Sequence, residues 1–188
     1  MVVAPCEEGG AIIKDIVAMI PLIETERLTL RGHGADDFPA SAALWGDARV
    51  TARISGRVFT PEECWARLLR YAGLWSLLGF GYWAVTRKSD GAFIGESGFA
   101  NFHRAIPSPH ARLPEIGWVI APAHQRQGYA SEAVAAITAW GDKKFGGSQT
   151  FCIIDPDHAA SLRVAEKAGY HFAERTTYLD SPVVLYLR

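Results

Sequence analysis

Cysteine is scarce in this chain: its 188 residues include three, Cys6, Cys64 and Cys152, and no CxxC pair. An odd number without that spacing argues against a disulfide framework and against a zinc site, and it suits a reducing compartment. An excess of either charge is missing too. Lysine and arginine number 19 against 20 aspartate and glutamate, so no net field draws the chain onto nucleic acid or anionic lipid, and electrostatic recognition has to be local. A long uninterrupted apolar run is also lacking. Ala11 to Ile23 comes nearest, but Lys14 and Asp15 break it and Glu7 and Glu8 precede it, which excludes a signal peptide and a membrane span. No repeat or low-complexity tract is present, and the Pro-rich piece Ile106-Pro-Ser-Pro-His110 reads as one surface loop.

What remains is ordinary globular content, 49% hydrophobic and 21% charged, enough for one sizeable core. The expected organisation is an N-terminal extension over 1–21 and one domain over 22–188, in the cytoplasm. Residues 1–18 read either as a packed arm or as an over-extended start.

A strand is expected at Arg27 to Arg31, then a helical stretch from Asp36 to about Trp45. Thr60-Pro61-Glu62-Glu63 supplies a capping hydroxyl, a proline at the first helical position and a glutamate that can reach back to the cap amide. The helix it starts carries Trp65, Leu68, Leu69, Ala72 and Trp75 as an apolar stripe and ends at Gly79. Tyr82 to Thr86 and Phe93 to Phe99, joined by Lys88-Ser-Asp-Gly91, predict a β-hairpin. Glu115 to Ile120 predicts a further strand, with Glu115, Gly117 and Val119 on one face and Ile116, Trp118 and Ile120 on the other. A helix from Tyr129 to Phe145 and a strand over Thr150 to Ile154 complete a βαβ unit, whose strands lie parallel. A helix capped by Asp157 carries Leu162, Ala165 and Ala168 inward, and strands near 170–177 and 183–187 close the chain. The order β-α-α-β-β-β-α-β-α-β-β implies a mixed α/β fold, a sheet of about six or seven strands with helices on both faces.

Gln125-Arg126-Gln127-Gly128-Tyr129-Ala130 lies between an apolar strand and the start of a helix. There, unpaired backbone N–H groups and the positive end of the helix dipole suit a pyrophosphate. Gly128 lets backbone approach the phosphate, Ala130 keeps a side chain out of the way, and Arg126 adds charge from the rim. A glycine turn before a helix is also a common tight connection. A dinucleotide site would need G-x-G-x-x-G, and this turn has Gly128 alone.

In this segment the chain resembles the GNAT acetyltransferases, whose signature is Gln/Arg-x-x-Gly-x-Gly/Ala at a strand-to-helix turn; Gln125, Gly128 and Ala130 match it. Ile23-Glu-Thr-Glu-Arg-Leu-Thr-Leu-Arg31, Glu115-Ile-Gly-Trp-Val-Ile120 and Ala160-Ser-Leu-Arg-Val-Ala-Glu-Lys-Ala-Gly-Tyr170 extend the likeness over about 22–188. The combination is similar to the ribosomal-protein-alanine acetyltransferase branch. The resemblance implies that Gln125, Arg126, Gln127, Gly128, Tyr129 and Ala130 hold the pyrophosphate of acetyl-coenzyme A. It further implies that the strand Trp118, Val119 and Ile120 splays from its neighbour to pair with the pantetheine arm. Ser161 then protonates the departing thiolate, and a simple first-turn polar contact is its alternative. His158 stands where the family often has an asparagine that contacts the coenzyme.

Acetyl transfer to an amine needs a base for the attacking nitrogen. Glu115 is the first candidate, on the strand leading to the coenzyme site, and Glu96 the alternative, between Gly95 and Ser97. His103 reads as a solvated loop residue and Cys152 as buried packing. The resemblance implies that the segments holding Trp45 and Phe102 wall the acceptor cleft, where an aromatic wall would suit an aliphatic or peptide-like amine. The same resemblance implies a primary amine as the acceptor, on a protein N-terminus or a small molecule. No metal is implied, and nucleic acid and membrane are not expected partners. The sequence leaves room for a homodimer through a strand edge or the N-terminal arm. The reading from another class is a coenzyme-binding sensor or interaction module without catalysis.

Overall fold

The computed structural model describes residues 20–188; the N-terminal readings over 1–18, and Cys6, lie outside the described residues. The chain order is β1 (Ile23–Glu24), β2 (Leu28–Arg31), α1 (Phe38–Trp45), α2 (Ala48–Thr51), α3 (Pro61–Leu78), β3 (Tyr82–Arg87), β4 (Phe93–Ala100), β5 (Glu115–Ile120), α4 (Tyr129–Lys144), β6 (Phe151–Ile154), α5 (Ala159–Lys167), β7 (His171–Tyr178) and β8 (Ser181–Leu187). All eight strands form one sheet in the order β1-β2-β3-β4-β5-β6-β8-β7. The eighth strand, beyond the expected six or seven, is the two-residue β1, too short to leave a periodic signal.

Local chemistry explains the helices. Thr60 accepts from the Glu63 amide at 3.3 Å while Glu63 accepts from the Thr60 amide at 2.9 Å, so two orphan donors at the start of α3 are satisfied reciprocally. Gly79 ends the helix in the left-handed conformation, φ 66°. The buried stripe of α3 is Cys64, Leu68, Tyr71, Leu74 and Trp75. Trp65 and Leu69, expected inward, are 39% and 52% exposed. The helix is rolled so that Tyr71 faces the sheet, where its ring stacks on Tyr82 at 4.7 Å and its hydroxyl reaches a buried carboxylate. At α5 the N-cap is His158, without a side-chain cap bond, one residue beyond the expected Asp157.

The two faces of the sheet are covered by different helices. On one, Trp83, Val85, Phe99 and Ile116 pack with Ala133, Val134 and Ile137 of α4, forming the main core. At its end Trp140 stands edge-on to both Trp75 and Trp83. Burying rings of this size supplies most of the stabilisation, roughly 25 cal/mol per Å² of apolar surface. On the other face α1 and α3 cover β3 and β4, with Tyr71, Leu74, Tyr82 and Ala100 as a second cluster.

The βαβ unit β5-α4-β6 is parallel as expected, but its register consists of Glu115 opposite Phe151 and goes no further. β5 remains paired along its other edge with β4, from Ala100 opposite Glu115 to Gly95 opposite Ile120. Beyond Glu115, therefore, β5 and β6 diverge.

Candidate active site

The divergence leaves Trp118, Val119 and Ile120 with one backbone edge bonded to β4 and the other facing the gap. Because β5 and β6 are parallel, the turn that follows β5 and the loop that follows β6 flank the same open end of that gap, the usual place for a ligand in parallel sheets. The turn is residues 121–128 and the loop runs through Asp155 to His158.

The turn is held in an unusual shape. Gly128 has φ 84° and Arg126 φ 61°, and a non-glycine residue in the left-handed region stores strain of about 1 kcal/mol or more. Three side chains stabilise it. The Gln125 amide donates to the Ile120 carbonyl at 2.9 Å and the Gln127 amide to the Ala123 carbonyl at 3.2 Å. Arg27, from the strand edge, donates to the Gln127 carbonyl at 3.0 Å. The first i-to-i−4 bond of α4 runs from Glu132 to Gly128, so the amides just before it stand at the positive end of a 16-residue helix.

Arg27 was not singled out among the site residues in the sequence. Its backbone amide and Nε both donate to Glu132 of α4, at 2.9 and 2.7 Å, and its guanidinium lies 4.6 Å from the Tyr129 ring centre. Thr25 donates to the same Glu132 at 2.6 Å. Thr25 and Arg27 belong to the quoted segment at residues 23–31, so the signal was present, but its partner lies more than a hundred residues away and no spacing rule connects them.

His158 is half-buried at the start of α5, and Ser161 sits in the first turn of the same helix. Burial, and then the neighbouring Arg53 charge, push the His158 pKa below its ordinary value, against the pull of Asp155. Arg53 is ion-paired with Asp155 at 3.2 Å, which ties the segment after α2 to the loop after β6.

The two candidate bases share one face of the sheet but have different surroundings. Glu96 is fully buried and accepts from the Ser41 hydroxyl at 2.6 Å, the Trp45 indole at 2.8 Å and the Tyr71 hydroxyl at 2.9 Å, with the His33 imidazole at 3.7 Å. Burial alone would raise its pKa, but the polar contacts around it, led by His33, hold it below the usual carboxylate range. Glu115, 5% exposed, accepts from Arg104 Nε at 2.7 Å. Its desolvation outweighs the guanidinium, and its pKa lies above the ordinary carboxylate value. Tyr82 stands beside it, its hydroxyl over Gly117.

Trp45 is 4% exposed and lies beneath Arg67 and parallel to Phe59, whereas Phe102 is half-buried. Cys152 is a buried free cysteine, as expected, and burial raises its thiol pKa far above the ordinary value. Among the described residues no group of histidine, cysteine and acidic side chains is arranged to hold a metal, and no helix is long and apolar enough to cross a membrane.

Residues 27–171 match the acetyltransferase (GNAT) domain family. The chain belongs to that family. Among its relatives is an uncharacterized N-acetyltransferase of Bacillus subtilis, YoaA, 30% identical over 154 residues that cover 81% of this chain and 84% of that protein. The crystal structure of an acetyltransferase from Agrobacterium tumefaciens superposes with a TM-score of 0.77 at 26% identity, covering 90% of this chain and 94% of the other. The ribosomal L7/L12 α-N-protein acetyltransferase RimL, solved in complex with coenzyme A, shares the fold, with a TM-score of 0.72, 18% identity and coverage of 89% and 97%. GNAT membership supports acyl transfer as the class of reaction, and the mixed sheet with helices on both faces is the expected architecture.

Proposed function

We propose that this GNAT protein is an N-acetyltransferase that moves the acetyl group of acetyl-coenzyme A directly to a primary amine. The observation that carries the reading is the gap between β5 and β6, with the turn 125–130 braced at its open end. Arg126 and Gly128 are left-handed there, and the α4 amides face outward. A pyrophosphate fits that turn, with Arg126 adding charge at the rim. The free edge of Trp118, Val119 and Ile120 offers backbone groups to the amides of a pantetheine arm, which would complete the interrupted pairing of β5. His158 lines the opposite side of the opening. A coenzyme A complex of RimL, which has the same fold, supports this ligand class.

Glu115 is the better-supported base. Burial raises its pKa and so strengthens it as a proton acceptor, directly or through water, while Glu96 is occupied by donors and serves as a buried hub. Loss of the amine proton allows the nitrogen to form a bond to the acetyl carbonyl carbon. The C–S bond then breaks, and Ser161 supplies the proton for the coenzyme thiolate.

Calorimetric titration of acetyl-coenzyme A into the wild type and into Gly128→Glu tests the site, with thermal unfolding run beside it. Saturable wild-type binding lost in a folded variant is the expected result. Correctly folded wild type without binding would overturn the reading.

A further inference from the structure

On the sheet face away from α4, three arginines are gathered with little to neutralise them. The Arg67 guanidinium lies 3.7 Å over the Trp45 ring and 4.7 Å over Phe59, and its Nε is buried without a hydrogen-bond partner. Arg70 lies 5.0 Å over Phe102, and Arg104 lies 4.6 Å over the same ring. Of the three, Arg104 alone has an ion pair among the described residues, through Nε to Glu115. The other nearby carboxylates are occupied. Glu63 is held by Arg57 at 2.5 Å, and Glu96 meets Arg67 only through the Tyr71 hydroxyl.

Rings under a guanidinium remove water from one of its faces without cancelling its charge. Desolvation, then the like charges of Arg67 and Arg104, hold the Arg70 pKa below its ordinary value, so the group sits in a field that favours an anion. Two separate cavities open here, one of about 430 Å³ lined by Arg67, Arg70 and Glu63 and one of about 550 Å³ lined by Arg104, while Phe102 is the ring that Arg70 and Arg104 share. The near-neutral composition hides this cluster because Glu63 and Glu96, which lie nearby, are engaged by other donors and leave Arg67 and Arg70 without an ion pair among the described residues.

Resting on the acetyl-transfer reading above, we propose that the acceptor amine also carries an oxyanion, a carboxylate or a phosphate, which Arg70 and Arg104 bind while the amine stands at Glu115. Planar guanidiniums match either group through paired N–H donors. The aromatic rings are then the platform of a cationic site, and the aliphatic-amine cleft anticipated from Trp45 and Phe102 becomes a site for a charged acceptor.

The test is a panel of acceptors in matched pairs, scored by release of coenzyme A thiol. The pairs are methionine with methioninamide, phosphoethanolamine with ethanolamine, and Ser-Glu-Ala amide with Ser-Gln-Ala amide. An anionic member favoured by about ten-fold in kcat/KM is expected in one pair, as for a charged hydrogen bond, and the pair that shows it distinguishes an α-carboxylate, a phosphate and an acidic side chain. Arg70→Gln should collapse that ratio toward one, and Arg70→Lys should keep part of it, a pattern that a merely structural arginine does not produce. Turnover without preference in any pair would overturn the proposal. So would the absence of turnover together with failure of the anionic members to bind the coenzyme A complex by calorimetry. Failure to bind acetyl-coenzyme A at all would instead overturn the proposed function.

Discussion

The guanidinium of Arg27 donates to the carbonyl of Gln127 at 3.0 Å, so a side chain from the edge of the sheet fixes the peptide that enters the left-handed Gly128. The same guanidinium is ion-paired to Glu132 at 2.7 Å, one turn into α4. The turn is therefore held in shape by the fold itself, and at the proposed coenzyme site the ordering cost would be met by folding instead of by binding.

Arg27→Met should accordingly weaken acetyl-coenzyme A binding by about ten-fold, roughly 1.4 kcal/mol, measured by calorimetry. The loss of stability should be smaller, because the ion pair is partly exposed and such pairs contribute about 0–1 kcal/mol. At saturating coenzyme the acceptor KM should stay within about two-fold of wild type. An unchanged coenzyme Kd would show that the turn keeps its shape without this brace.

Glu115 and Arg104 predict a pH effect. A base must be ionised to act, and burial raises the Glu115 pKa while Arg104 lowers it. Removing the guanidinium in Arg104→Met takes away the lowering influence, so the acidic limb of the kcat/KM profile should move to higher pH. Glu115→Gln should cut kcat by about a hundred-fold or more with coenzyme affinity nearly unchanged. If the acidic limb survives in Glu115→Gln, another group is the base.

Glu96 should matter for stability. Replacing it with glutamine turns one accepting oxygen into a donor that faces hydroxyl and indole donors, and breaking such a buried network costs about 3 kcal/mol, measurable by urea unfolding. Since the folded pKa lies below the unfolded value near 4.5, its contribution is present above that value. It is lost as pH falls through the folded pKa. Wild type and Glu96→Gln should converge in stability under acid.

Much of this was legible in the sequence, and the reasons differ by element. Thr60-Pro61-Glu62-Glu63 is a local capping pattern, and local chemistry decided it. The strand from Glu115 to Ile120 gave its alternation directly, and β5-α4-β6 follows from chain connectivity. The roll of α3 was misread because Trp65 and Leu69 are apolar at helical spacing, whereas Tyr71 is drawn inward by a carboxylate on β4 that no window of the sequence contains. Glu96 itself reads as an alternative base between the small Gly95 and Ser97 until Ser41, Trp45 and Tyr71 converge on it from two helices. Arg27 with Glu132, and the three arginines, are likewise long-range pairings. Charge totals cannot reveal them, since a balanced chain can still segregate its charges in space.

Gly117 and Tyr82 supply the last prediction. A methyl group at Gly117 would lie 2.0 Å from the Tyr82 hydroxyl, with the next ring atom at 3.2 Å. Tyr82 cannot swing aside, because its ring is stacked on Tyr71 and the strand pairs with β4 at Gly98. Gly117→Ala should therefore destabilise the fold by about 2 kcal/mol through overpacking. Tyr82→Phe removes the colliding oxygen, so the double variant should recover a large part of that loss. The coupling between the two changes is the informative quantity, since each single change also carries effects of its own. Additive changes in unfolding free energy would mean that β5 moves away from Tyr82. In that event the gap between β5 and β6 would change width, and acetyl-coenzyme A affinity should fall in Gly117→Ala and stay low in the double variant.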